Sequence, residues 1–214
     1  MRADTKTPLD ISSQSGFTLI EILIALAIGL FIIGAAYAYF LSTLKTSKAL
    51  VAQSNLQQDI RATSTLMQRD IRRAGYAPNG SPHTSTVNKI WLGKTDAALA
   101  DNNCILYRYV DERNNLRNSG FLRYSNGRIY MRTSGSSNHC PSNPTTSSEW
   151  ATVTSAANSS VATFIVNYIS TGNRPRIQIQ LTAKSTTDSS ISLPLTLRIV
   201  MPNAPTLGTA ATGA

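Results

Sequence analysis

Glu21 is the residue that most needs a chemical explanation. It is the only charge between Phe17 and Leu41, a stretch in which 21 of 25 residues are apolar. An acid in lipid costs roughly 2.5–3.5 kcal/mol at mid-helix on insertion scales, and less near the interface. Such a carboxylate predicts a functional group with a cationic partner. Side chains that make and break bonds are sparse elsewhere. His83 and His139 are the only histidines, and Cys104 and Cys140 the only cysteines. That is too few for a disulfide scaffold or a Cys-rich zinc module. There is no P-loop, GxSxG elbow, HExxH helix or EF-hand loop. These residues do not predict an enzyme, and they imply no metal and no cofactor. Asp111 and Glu112, with Asn114 and Asn115, offer oxygen ligands but read as a solvated hairpin turn between Val110 and Leu116.

A second set is basic. Arg108, Arg113, Arg117, Arg123, Arg128 and Arg132 interleave with Tyr107, Tyr109, Tyr124 and Tyr130. On adjacent strands these residues would form a basic–aromatic surface of the composition that contacts nucleic acid. Arg123, Arg128, Arg132, Tyr124 and Tyr130 are the candidate contacts. The favoured alternative is solubility plus contacts to acidic neighbours, with DNA the lesser partner. A formal net charge of +9 keeps both readings open.

The elements that must position these residues follow from periodicity. The 214-residue chain suits one domain, or a small domain with an appendage. The uncharged run from Ile22 to Leu44 would span about 35 Å as a helix, enough for a hydrocarbon core of about 30 Å. A buried soluble helix and a cleaved secretory signal are the rivals. The run is too long and too pure for either. Beyond Leu41 the sequence turns polar without a breaker until Gly75. Ala49, Ala52, Leu56, Ile60, Thr63, Met67 and Ile71 form one apolar stripe at helical spacing, opposite Gln53, Gln57, Arg61, Ser64, Gln68 and Arg72. The stripe predicts a docking face for the rest of the domain. Arg72-Arg73-Ala74-Gly75 supplies last-turn cations and a left-handed stop.

The remainder reads as strands. Residues 104–110, 121–124, 128–132, 162–169, 176–181 and 195–200 are β-rich, and Asn126-Gly127 marks a hairpin. From Thr133 to Ser160 half the residues are Ser or Thr (14 of 28), a long loop with room for a short strand near Trp150. The fold expected is α+β: a long N-terminal helix, membrane-spanning in its first half, packed against an antiparallel β-sheet head.

Gly16-Phe17-Thr18-Leu19-Ile20-Glu21 resembles the class III signal of type IV pilins and pseudopilins. The resemblance implies that a prepilin peptidase cuts after Gly16 and N-methylates Phe17. Glu21 would then meet the Phe17 amine of a neighbouring subunit and set the register of assembly. The segment Met67-Gln68-Arg69-Asp70-Ile71-Arg72-Arg73-Ala74-Gly75-Tyr76 is similar to the helix end of PilW-type minor pilins; the secretion pseudopilin GspJ shares its Arg69-Asp70-Ile71-Arg72 portion.

The resemblance implies a layout of leader 1–16, transmembrane and polymerisation helix 17–41, amphipathic continuation 42–74, periplasmic β-rich head 75–201 and a disordered tail 202–214. It also implies a single-pass inner-membrane protein that later enters the pilus at the cell surface. In that oxidising compartment Cys104 and Cys140 are expected to form a disulfide, worth roughly 3–4 kcal/mol in the chain-entropy model. The function implied is that of a minor pilin in a priming or tip complex, supporting motility, adhesion or DNA uptake. Its partners would be other minor pilins, the major pilin, the prepilin peptidase, the inner-membrane assembly platform and, before assembly, membrane lipid. The alternatives are a GspJ-like minor pseudopilin of type II secretion and a DNA-binding or adhesive pilin head.

Overall fold

The computed structural model describes residues 16–208 except 80, 82, 97, 100 and 172–173. Leader residues 1–15 and tail residues 209–214 lie outside the described residues. The chain divides into two compact units, Met1–Ser47 and Lys48–Ala214. A single helix, α1 (Leu19–Ile71), runs through both.

In the first unit α1 is apolar on every side up to Leu41, and among the described residues its side chains there are nearly all exposed. It is long and apolar enough to cross a membrane, and its most apolar window has no buried residue. In the second unit the stripe behaves as its spacing predicts. Ala52, Leu56, Ile60, Thr63, Met67 and Ile71 are buried, while Arg61 and Arg72 are exposed. Ser64 departs from the expectation. It is buried, and its hydroxyl donates to the Arg61 carbonyl at 2.9 Å, so a short hydroxyl is absorbed by the helix's own backbone.

After a short helix, α2 (Thr84–Val87), come nine strands among the described residues. They are β1 (Lys89–Gly93), β2 (Cys104–Val110), β3 (Leu116–Arg123), β4 (Ile129–Arg132), β5 (Trp150–Thr152), β6 (Ser159–Ile169), β7 (Arg176–Ser185), β8 (Ser192–Val200) and β9 (Thr206–Leu207). They form two sheets rather than one. The order is β5-β4-β3-β2-β1-β9 in the larger and β6-β7-β8 in the smaller. All pairings are antiparallel except β1 with β9. The Asn126-Gly127 turn joins β3 to β4, with Gly127 at φ 74°, a conformation glycine adopts without strain.

Strand alternation sorts the larger sheet's side chains onto two faces. Ile105, Tyr107 and Tyr109 of β2 point into the main core with Leu56, Ile60, Met67 and Ile71 of α1 and with Phe164, Val166, Ile177 and Ile179 of the smaller sheet. The opposite face carries Cys104, Leu106, Leu122 and Tyr130, which pack with Trp91, Cys140 and Trp150. The disordered tail expected from Pro202 is corrected for its first seven residues. Thr206 donates from its backbone to the Asn88 carbonyl at 2.7 Å and Gly208 to that of Ile90 at 2.8 Å. The tail thereby closes part of an otherwise open sheet edge.

Candidate functional site

At the signal, Gly16 and Phe17 precede the helix and are exposed, Phe17 by 78%. Thr18 stands at the helix entry, where its carbonyl accepts from the Glu21 and Ile22 N–H groups at 3.1 and 3.3 Å. Its hydroxyl donates to the Glu21 carboxylate at 3.5 Å. Glu21 therefore lies in the first turn, where the helix dipole favours an anion. Among the described residues it enters no ion pair. Phe17 and Glu21 stand four residues apart, and both are exposed.

The helix end is a second constellation, in which the sequence had revealed only the stop. Asp70 is 5% exposed and accepts from the Tyr107 hydroxyl at 2.6 Å and from the Ser119 hydroxyl at 2.5 Å. Tyr107 and Ser119 are register partners across β2 and β3, so one carboxylate ties α1 to both strands. Arg73 lies 3.6 Å from Asp70 and stacks on the Tyr109 ring at 4.1 Å. Burial, then the Asp70 charge, pushes the Tyr107 hydroxyl well above its ordinary pKa. Gly75, at φ 77°, donates to the Arg108 carbonyl at 2.9 Å, and Val110 donates to Tyr76 at 2.8 Å. Asn203 caps the turn by donating to the Ala74 carbonyl at 3.0 Å. Asp59 does similar work: its carboxylate accepts from the Ser155 N–H and from the Ser159 hydroxyl. Spacing held a signal for Asp70, which sits three residues after Met67 and seven after Thr63, on the buried stripe.

Of the basic–aromatic set Arg113 and Arg117 are exposed, whereas the candidate contacts are buried or half-buried. Tyr130 and Arg132 are 5% and 3% exposed. Both project from β4 onto the larger sheet's outer face, which residues 133–149 cover. Arg132 donates to the Ser134 and Ser137 carbonyls at 2.7 and 2.6 Å and lies 3.5 Å from the Glu149 carboxylate. Arg108 donates to the Ser136 carbonyl and to the Asn118 and Asn138 side chains. Arg123 donates to the Val161 carbonyl at 2.7 Å. Tyr124 meets Tyr130 edge to face at 6.4 Å. Arg128 is half-buried. Desolvation lowers the pKa of Arg108, Arg123 and Arg132 from its ordinary value. Carbonyl oxygens of the Ser-rich loop recruit Arg132 and, with two asparagine side chains, Arg108, while the Val161 carbonyl of β6 recruits Arg123; backbone acceptors leave no trace in composition. Tyr130 and Arg132 are thus buried within the head rather than displayed on its surface.

Cys104 and Cys140 form a disulfide with Cα atoms 6.3 Å apart, which fastens the same loop to β2. Asp111 is committed to its own turn. The Asn115 N–H, the Arg117 guanidinium and the Arg113 N–H hold its carboxyl down to about 2.

A long N-terminal helix packed on antiparallel sheets, entered through a class III prepilin signal, defines a type IV pilin-like protein. Residues 49–201 match the family model described as prepilin peptidase-dependent protein B, and residues 11–37 match the prokaryotic N-terminal methylation motif. The first match spans more than half of the chain, which belongs to the prepilin peptidase-dependent protein B family. Members are processed by the prepilin peptidase and are generally non-enzymatic. The signal and the uncovered helix mark a chain anchored in the inner membrane before assembly. No curated protein and no solved structure matches it.

Proposed function

We propose that this chain is a PilW-like minor pilin of a type IV pilus, a low-copy subunit of the complex that primes assembly or sits at the tip. Cleavage after Gly16 frees the Phe17 amine, which is methylated and pairs with Glu21 of an adjacent subunit. In a low-dielectric helix bundle that attraction is strong enough to set axial register. The assembly platform then lifts the complex, with other minor pilins, to receive the major pilin; motility, adhesion or DNA uptake follow from the filament. The observation that carries the reading is the exposed pair of Phe17 and Glu21 at the head of an uncovered apolar helix. A Glu21→Ala chain, expressed in place of the natural one, should still be cleaved but should leave the cells with few or no pili. Normal piliation by electron microscopy would sink the charge-pairing mechanism. The Arg69-Asp70-Ile71-Arg72 string also suits a GspJ-like pseudopilin. Intact pili with lost protein secretion in the deletion strain would select that reading.

A further inference from the structure

The loop on the larger sheet's outer face frames a cleft of about 300 Å³, lined by Arg132 of β4, Trp150 of β5 and residues of the loop between them. That volume stands at the low end for small-molecule sites and suits a single ring-sized ligand. One strong donor here is unspent. Arg132 is 3% exposed, and its Nε and Nη1 donate to the Ser134 and Ser137 carbonyls. Among the described residues its buried Nη2 has no hydrogen-bond partner. Nη2 faces the Glu149 carboxylate at 3.5 Å, longer than the roughly 2.7–2.9 Å of a charge-assisted hydrogen bond. Glu149 lines the same cleft. Its position depends on Gly135, at φ 88°, where a Cβ would collide with the carboxylate. Asn143 lines the cleft too. Its side-chain oxygen accepts from the Thr145 N–H and hydroxyl at 3.0 and 2.7 Å, which turns the amide nitrogen to other acceptors. Eight of the eleven lining residues are polar or charged, and Trp150, Cys140 and Pro141 supply the apolar remainder. The disulfide at Cys140 and the two Arg132 bonds hold this frame in place.

We propose that this cleft binds one neutral saccharide unit. A single ligand hydroxyl donates to Glu149 and accepts from Arg132 Nη2, which completes both groups across the 3.5 Å gap. The Asn143 amide donates to a second hydroxyl of the same ring. An anion is repelled by Glu149 and a cation by Arg132, so the balanced pair favours a ligand without charge. A purely apolar ligand would take water from these polar groups and return no hydrogen bond. A sugar ring combines several hydroxyls with a C–H face that matches Trp150 and Pro141. Because the frame is fixed before the ligand arrives, little ordering opposes binding. The site belongs to the head alone and holds whichever assembly carries the chain.

The test titrates the full chain, in a detergent without a sugar headgroup, with methyl glucoside, methyl galactoside, methyl mannoside and N-acetylglucosamine. The indole N–H resonances of Trp91 and Trp150, told apart in a Trp91→Phe chain, report binding. At least one sugar should shift the Trp150 signal saturably, with a Kd of about 0.1–10 mM. Acetate and methylammonium at the same concentration should not. Glu149→Gln keeps the side chain's shape but loses its charge, and should weaken binding about tenfold. Gly135→Ala displaces the carboxylate and should weaken it by a similar factor. Thr196→Ala, at an exposed position on β8, should leave the affinity unchanged. Formation of the Cys104–Cys140 bond, read on a non-reducing gel, and a cooperative thermal transition show that each variant has folded. If Gly135→Ala fails that check, Glu149→Gln decides alone. No saturable shift with any of the four sugars, an equal shift with acetate or methylammonium, or an affinity indifferent to Glu149→Gln each overturns the proposal. Piliation in Glu21→Ala is a separate measurement, so the pilin reading stands or falls independently of this site.

Discussion

The two halves of α1 share a conformation and many of the same side chains, yet they bury opposite things. Ile24 and Leu26, in the first unit, are 54% and 58% exposed, whereas Leu56 and Ile60, in the second, are at most 1%. The acids are inverted as well. Glu21 is exposed among apolar residues, while Asp70 is buried among polar partners. Hydrophobicity alone does not decide what a head covers. The first half is apolar around its circumference and offers no single face, which suits lipid or other helices. The second half interrupts its apolar residues with polar ones every three or four positions and so defines a stripe that one core can bury.

The largest expected effect tests that asymmetry directly. Ile60→Ala removes a fully buried side chain from the junction of helix and sheets and should lower the head's unfolding free energy by about 4 kcal/mol. Leu26→Ala should change it by less than about 0.5 kcal/mol, because this side chain is exposed. Denaturant unfolding of both full-length variants in detergent measures the contrast. Equal losses would mean that the first half also supports the head.

The acids sharpen the comparison at a smaller scale. Asp70→Ala leaves the Tyr107 and Ser119 hydroxyls without their shared acceptor in a buried site, at a cost of about 2–3 kcal/mol. Glu21→Ala should leave the head's unfolding unchanged while affecting assembly. A destabilised head in Glu21→Ala, or an unaffected one in Asp70→Ala, would break the division of labour between the two carboxylates.

What the sequence showed, and what it hid, divides along a similar line. The stripe, the stop at Gly75, the Asn126-Gly127 hairpin and the alternating Arg176–Leu181 strand are local patterns, and each could be read from neighbouring residues. Strand β1 could not. Ile90, Trp91, Leu92 and Gly93 are all buried, so both of its faces are covered and alternation is lost. Strand β9 is two residues long and exists only because β1 offers it an edge. Asp59 and Asp70 find their partners 96–100 and 37–49 residues away. The arginines of β2 and β4 were misread as surface for the same reason. Their acceptors include carbonyls of a loop whose path is set partly by a disulfide spanning 36 residues. At the signal, by contrast, the motif lies within six consecutive residues, inside the stretch 11–37 that matches the N-terminal methylation motif.

The smallest effect is a pH dependence that only the buried acid's neighbourhood should produce. Tyr107 is raised above its ordinary value of 10, chiefly by burial and then by the charge of Asp70. Above pH 10 the unfolded chain therefore releases the Tyr107 proton while the folded chain still holds it. Folding stability is fully present below pH 10 and falls as pH rises beyond it, by up to about 1.4 kcal/mol per pH unit from this group. Tyr107→Phe removes that proton and one donor to Asp70, so it should begin about 1 kcal/mol less stable at neutral pH and show a shallower alkaline decline. Other tyrosines contribute to the absolute slope, but the difference between the two chains isolates Tyr107. Parallel alkaline profiles of wild type and Tyr107→Phe would show that the hydroxyl is not held against Asp70. The side-chain tie from Asp70 to the sheet would then rest on Ser119 alone.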